Sequence, residues 1–161
     1  MKYGWSEVKH MNEREAILAH HRKAIEFVKN ISKNQWRTRI EEGKWTVAEV
    51  IGHLPAWDEF VLKKRIPLLF FHVPLPKGPE AGKLNEASAK LAREQSQRET
   101  TAQFVDIRTQ LYEAIRNIPL HRWQESLTIG SSTLTLADYL QGLKEHDEHH
   151  FSQIKALYER E

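Results

Sequence analysis

Apolar positions recur at helical spacing in four stretches of the chain. Ile17, His21, Ala24, Val28 and Ile31 fall three and four residues apart, which predicts a helix from about Asn12 to Ile31. Asn12 is the expected N-cap, with Glu13 and Glu15 in the first turn, where negative charge suits the dipole. The N-terminal ~11 residues are then a flexible or docking arm. A second stripe runs Val47, Val50, Ile51, Leu54, Trp57, Val61. It opens on Thr46 and Glu49, a capping-box pair, with Trp45 and Val50 placed to staple the entry. Pro55 lies inside it, so a bend or a tolerated defect is expected, and Pro67 ends it. Phe104, Ile107, Leu111, Ala114, Ile115 and Ile118 predict a third helix, about Thr101 to Asn117, stopped by Pro119. Leu136, Leu140, Leu143, His146, His150, Ile154 and Leu157 mark the last, from Leu136 to about Glu159, with Thr135 and Asp138 at its start.

The segments between these stripes set the topology. Ser32 to Gly43 is a polar connection. Pro67 to Gly82 holds four of the six prolines and reads as loop. Leu84 to Arg98 is polar and helix-permissive, with Ala87 and Leu91 as its apolar anchors. Leu127-Thr-Ile and Thr133-Leu-Thr flank Gly130 and suit a minor hairpin. Four amphipathic helices in one domain predict an all-α four-helix bundle. Short links join helices one to two and three to four, whereas the link between two and three is long enough to cross over. Helices two and three are therefore expected to run parallel, giving an up-down-down-up order.

Composition narrows the function classes. The 161 residues are 40% hydrophobic and 29% charged, ordinary for a soluble globular domain and too apolar for disorder. A net charge of +2 offers little for neutralising phosphates, so no nucleic-acid partner is expected. Cysteine is absent, which removes disulfides, thiolate ligands and a cysteine nucleophile. The start carries no apolar signal region, and the longest apolar run, Ile66 to Phe71, is far too short for a bilayer. A cytoplasmic protein without a membrane partner is the expectation.

The nine histidines are the informative residues. His146 and His150 stand four apart on one face of the last helix, so both imidazoles can reach one ion. Both occupy the apolar stripe, and a histidine turned into a core needs a partner for its ring nitrogens. His53, three after Val50 and four before Trp57, faces the same interior and supplies a third ligand. Three neutral imidazoles leave a fourth position open, as in a catalytic metal site. Zinc suits such ligands best, and nickel or iron also fit. The competing reading is a set of core histidines, each bonded to its own carbonyl or carboxylate. His149 turns away from the stripe, with Asp147 and Glu148 expected on the solvated side. His21 lies on the first helix's stripe and suits a supporting or substrate-binding group, while His20 reads as filler. His10, His72 and His121 read as loop residues.

Other motifs do not point to chemistry. His-Glu-x-x-His is absent, since Asp147 follows His146. There is no glycine-rich phosphate loop and no Gly-x-Ser-x-Gly elbow. Trp36, Trp45, Trp57 and Trp123 suit core filling or helix capping. Lys63-Lys-Arg65 reads as a solvated cluster at a helix end.

Gly43-Lys-Trp-Thr-Val-Ala-Glu-Val-Ile-Gly-His-Leu-Pro-Ala-Trp-Asp58 resembles the helix-two signature of the DinB-like superfamily, bacterial four-helix bundles that include bacillithiol transferases. His146-Asp-Glu-His-His-Phe-Ser-Gln153 resembles that family's final-helix motif. The resemblance spans most of residues 12 to 158. It implies that His53, His146 and His150 share a divalent metal. It also implies a transferase joining a low-molecular-weight thiol such as bacillithiol to an electrophilic small molecule, in stress response or detoxification. Homodimers are common in the family. Pro55 departs from the small residue usual at that position. The alternatives are a metal-dependent hydrolase of a toxin or drug and a non-enzymatic binding or stress protein. His149 and Glu145 are the nearest candidates for a proton acceptor, and neither role is fixed by the sequence.

Overall fold

A computed structural model describes residues 4–160 of the chain. Six α-helices carry the fold: α1 (Trp5–Lys29), α2 (Lys33–Trp36), α3 (Val47–Phe60), α4 (Ala81–Glu94), α5 (Gln97–Arg116) and α6 (Leu136–Glu159). A hairpin of β1 (Ser126–Ile129) and β2 (Ser132–Thr135) precedes the last helix.

Helices α1, α3, α5 and α6 form the bundle, and cross-helix bonds fix their directions. Arg14 near the start of α1 reaches the Arg116 carbonyl at the end of α5, while Gln97 at the start of α5 reaches the Ile31 carbonyl, so these two run antiparallel. Phe27 stacks on Phe151, and Tyr158 accepts from the Ser32 amide, so α1 and α6 run parallel. Asp58 of α3 meets Arg108 of α5, and Val50 and Phe104 share one core cluster, so these also run parallel. The order is up-down-down-up, as the link lengths predict.

The first helix starts at Trp5, seven residues before the expected cap at Asn12. Residues 5–11, expected as an arm, extend α1. Glu7 accepts from the Gly4 amide, and Gln124 donates to His10 and Glu13, which ties the extra turns down. His10 is thus helical and not a loop residue. Residues 1–3 of the expected arm lie outside the described residues.

Thr46 and Glu49 form the expected capping box on α3. The helix passes through Pro55 without ending and widens into a π-turn at Val61–Arg65, then a 3-10 turn at Ile66–Leu68. The crossover that follows is fastened midway. The Leu75 amide donates to the Thr128 carbonyl at 2.8 Å, and the Leu75 side chain is buried in the core beneath the hairpin. Gly130 turns the hairpin with a φ of 59°, a left-handed conformation that glycine adopts without strain.

The polar segment before α5 is a full helix, α4, packed on α3. Ala87 and Leu91, its expected anchors, are exposed; Ser88, Ala89 and Ala92 face inward instead. The reason is steric. A Cβ placed on Gly52 would stand 2.5 Å from the Ala92 Cβ, so the two helices approach too closely for larger side chains. Arg93 then pairs with Glu49 at 2.9 Å, and Trp57 donates to Asn85 at 2.7 Å. No helix among the described residues is long and apolar enough to cross a membrane.

Candidate metal centre

α6 carries two functional faces one residue apart. Asp147, expected in solvent, is buried, whereas His146, expected in the core, lies exposed at the rim. The cause is Arg108, a residue of α5 absent from the sequence-based site. Its guanidinium is 2% exposed. It donates to Asp58 from Nε at 2.8 Å and Nη2 at 3.2 Å. It also donates to Asp147 from Nη1 at 2.6 Å and Nη2 at 3.1 Å. The remaining Nη1 hydrogen faces His21 Nδ1 at 3.5 Å. All five donors are engaged, as a buried guanidinium requires. His20 Nε2 donates to Asp147 Oδ2, the oxygen that also accepts from Arg108 Nη1, at 2.7 Å. This network joins α1, α3, α5 and α6, and it fixes the rotation of α6.

Burial alone would raise Asp147, but Arg108 and His20 hold its carboxyl well below the usual carboxylate range. Burial pushes Asp58 upward against the opposing pull of Arg108. Burial opposes the charge on Arg108, and the two carboxylates outweigh it, so its pKa is raised. Burial, aided by the Arg108 cation, lowers His21 to about 3. That ring is neutral near pH 7.

With α6 so oriented, His146 and His150 lean over His53 of α3. The ring centroids of His53 lie 5.9 Å from His146 and 4.8 Å from His150, and the last two are 4.6 Å apart. One donor nitrogen from each ring lies within 4.8 Å of the other two. The rings' outer nitrogens are already assigned. His53 Nδ1 donates to the Val50 carbonyl, and His150 Nδ1 donates to Gln153 Oε1 at 3.1 Å. That leaves Nε2 of both with a lone pair directed inward, and His146 Nε2 stands 3.3 Å from His150 Nε2. Burial lowers His53 to about 4, with the two neighbouring rings adding to the effect. Burial and His146 also lower His150. These two rings are neutral near pH 7 without any metal, the state a ligand requires. The residues therefore fit a divalent cation with three nitrogen ligands and an open side at the exposed His146 edge. Trp45 packs its ring 5.2 Å from His53.

His20, His21 and Asp147 also bring donor atoms within 4.8 Å of one another. The Arg108 guanidinium already supplies the positive charge there, so this group is a structural ion network. His149 is exposed, as expected, with its ring edge-on to His150 at 5.3 Å between centroids. Arg65 corrects another expectation. It is half-buried and donates to the Pro76 carbonyl and the Tyr139 hydroxyl, both at 3.1 Å. The sequence signal that could have exposed Arg108 is its position on the α5 stripe, four after Phe104 and three before Leu111.

The fold and the three-histidine cluster define a four-helix bundle with a candidate metal centre between its second and fourth bundle helices. The chain belongs to the DinB superfamily, whose family model matches residues 16–154. Among solved structures it is similar to YfiT from Bacillus subtilis, described as a probable metal-dependent hydrolase with an unusual four-helix bundle topology. That likeness has 19% identity and a TM-score of 0.67, and covers 98% of this chain and 89% of that one. A mycothiol-dependent maleylpyruvate isomerase matches at 11% identity and a TM-score of 0.64. There the match covers 92% of this chain but 60% of that one. Comparison with curated proteins finds no match.

Proposed function

We propose that this protein is a metal-dependent enzyme that transfers a low-molecular-weight thiol to an electrophilic small molecule. The observation that carries the reading is the convergence of one ring nitrogen each from His53, His146 and His150, while Nδ1 of His53 and of His150 is held by Val50 and Gln153. A divalent ion held there supplies Lewis acidity, which lowers the pKa of a thiol or water presented to its open side. The protein's own contribution is to keep His53 and His150 neutral, to aim them through Val50 and Gln153, and to leave the His146 edge accessible. The chain has no cysteine, so the sulfur must come from a second molecule. The mycothiol dependence printed for one structural neighbour supports that co-substrate class. Zinc is the first ion to test, followed by nickel and iron.

A hydrolytic reaction is the second reading, favoured by the description of the Bacillus subtilis neighbour. One experiment separates the two. Zinc-loaded protein is assayed on an aryl halide electrophile with and without bacillithiol, and on an ester or amide panel without thiol. Turnover only with thiol supports transfer. Turnover of the panel without thiol replaces it with hydrolysis. Failure of calorimetry and elemental analysis to detect zinc, nickel or iron bound near one ion per chain removes both.

A further inference from the structure

A cavity of about 330 Å³ opens beside the triad on its His146 side. Leu54, Trp57, Val61, Leu111 and Leu143 give it apolar walls. Four charged groups line it: Arg65, Arg108, Asp58 and Asp147. Three of them are consumed by one another, because the Arg108 guanidinium is saturated by the two carboxylates and His21. Arg65 differs. Its hydrogen bonds go to two neutral oxygens, of Pro76 and Tyr139, and its guanidinium packs 4.8 Å from the Phe60 ring centroid. Among the described residues no carboxylate lies within ion-pair distance of it. It is a half-buried, oriented cation without a counter-ion. The four charges sum to zero, so an anion beside Arg65 does not face a net negative cavity.

We propose that this cavity binds a compact apolar molecule carrying one carboxylate, with the carboxylate on Arg65 and the apolar body between Trp57 and Leu143. The body then extends toward His146, which places the end remote from the carboxylate at the candidate metal centre. A partly desolvated guanidinium held by two neutral acceptors recognises carboxylate oxygens strongly, because its orientation is set before the ligand arrives. Apolar walls supply affinity without shape-specific polar contacts. This assignment of substrate class rests on the enzymatic reading only for which end reacts. Binding itself needs Arg65 and the cavity, not the metal.

The test uses metal-free protein and two probes that differ in charge alone, 1-naphthylacetate and 1-naphthylacetamide, titrated by calorimetry. Wild-type protein is expected to bind the acid about tenfold or more tightly than the amide. Raising the ionic strength narrows that preference. Arg65→Met abolishes it while leaving amide binding in place, and Arg65→Lys keeps a reduced preference. Leu143→Trp, which fills the cavity, weakens both probes. Equal affinities in the wild type, a preference that survives Arg65→Met, or no binding of either probe overturns the proposal. Because no metal is present, none of these outcomes bears on whether the triad holds an ion. Zinc titration of the same protein reports that separately.

Discussion

Arg108 grips Asp147 through two parallel hydrogen bonds, of 2.6 and 3.1 Å, in a bundle interior where neither side chain meets water. The pair links the two C-terminal helices, and the residue that precedes Asp147 is the rim histidine His146. Fold and candidate site therefore share one hinge point on α6.

Replacing Arg108 by Met should be severely destabilising. Two buried carboxylates would be stranded, and breaking a buried pair from one side costs about 3–5 kcal/mol. Urea denaturation followed by circular dichroism measures the loss. A midpoint within error of wild type would mean that the network is dispensable.

The triad should behave as a unit toward metal. His53→Ala, His146→Ala and His150→Ala should each weaken zinc binding more than the roughly 10–100-fold that an outer-shell change costs. Gln153→Leu, which removes the acceptor for His150 Nδ1, should fall within that lower range. His149→Ala should leave zinc affinity unchanged. Competition titration with a chromophoric chelator ranks the set, and a His149 effect as large as the others would displace the assignment.

Stability should fall on acidification below about pH 6.5 because of His21. His21 takes up a proton near pH 6.5 when unfolded and only near pH 3 when folded. Between those values the unfolded chain binds more protons, so stability is full above about pH 6.5 and declines as the pH falls toward 3. The slope for one such group is at most ~1.4 kcal/mol per pH unit. Asp58, raised by burial, acts in the opposite sense. Comparison with His21→Leu isolates the histidine: the variant should show a flatter profile from pH 6.5 to 4.5. Parallel profiles for the two proteins would refute the assignment.

The α3–α4 seam depends on the missing methyl of Gly52. Gly52→Ala should cost about 1–3 kcal/mol, since its Cβ would stand 2.5 Å from that of Ala92. Ala92→Gly in the same chain should restore part of the loss beyond additivity. A double-mutant cycle by thermal or urea unfolding checks both, and simple additivity would show that the helices are free to separate.

Much of this architecture was legible from periodicity because the four bundle helices each bury one continuous stripe. Ile17, Val28, Ile51, Leu54, Leu111, Ile115, Leu140 and Ile154 all sit where spacing puts them. The three candidate ligands were legible too, since His53 and His150 interrupt such stripes. What periodicity missed is charge that enters the core. Arg108 and Asp147 look like surface residues by type, and their burial depends on each other across two helices, a pairing no local pattern encodes. The α4 face was misjudged for the converse reason. Its contact uses alanine and serine against a glycine, so the larger Leu91 is left in solvent. The start of α1 was set too late because a favourable cap residue, Asn12, does not terminate a helix whose upstream turns are held by Glu7 and Gln124.

The crossover, pinned at Leu75, divides both the candidate ligands and the buried charge network. His53, His20, His21 and Asp58 precede it; Arg108, Asp147, His146 and His150 follow it. A backbone cut between Pro76 and Glu80 would yield two halves, one holding a single imidazole of the triad and the other the remaining two. Neither half could by itself complete the ion's coordination, and the first would bury Asp58 without its partner Arg108. Zinc uptake by a mixture of the two would thus serve as a readout of their reunion.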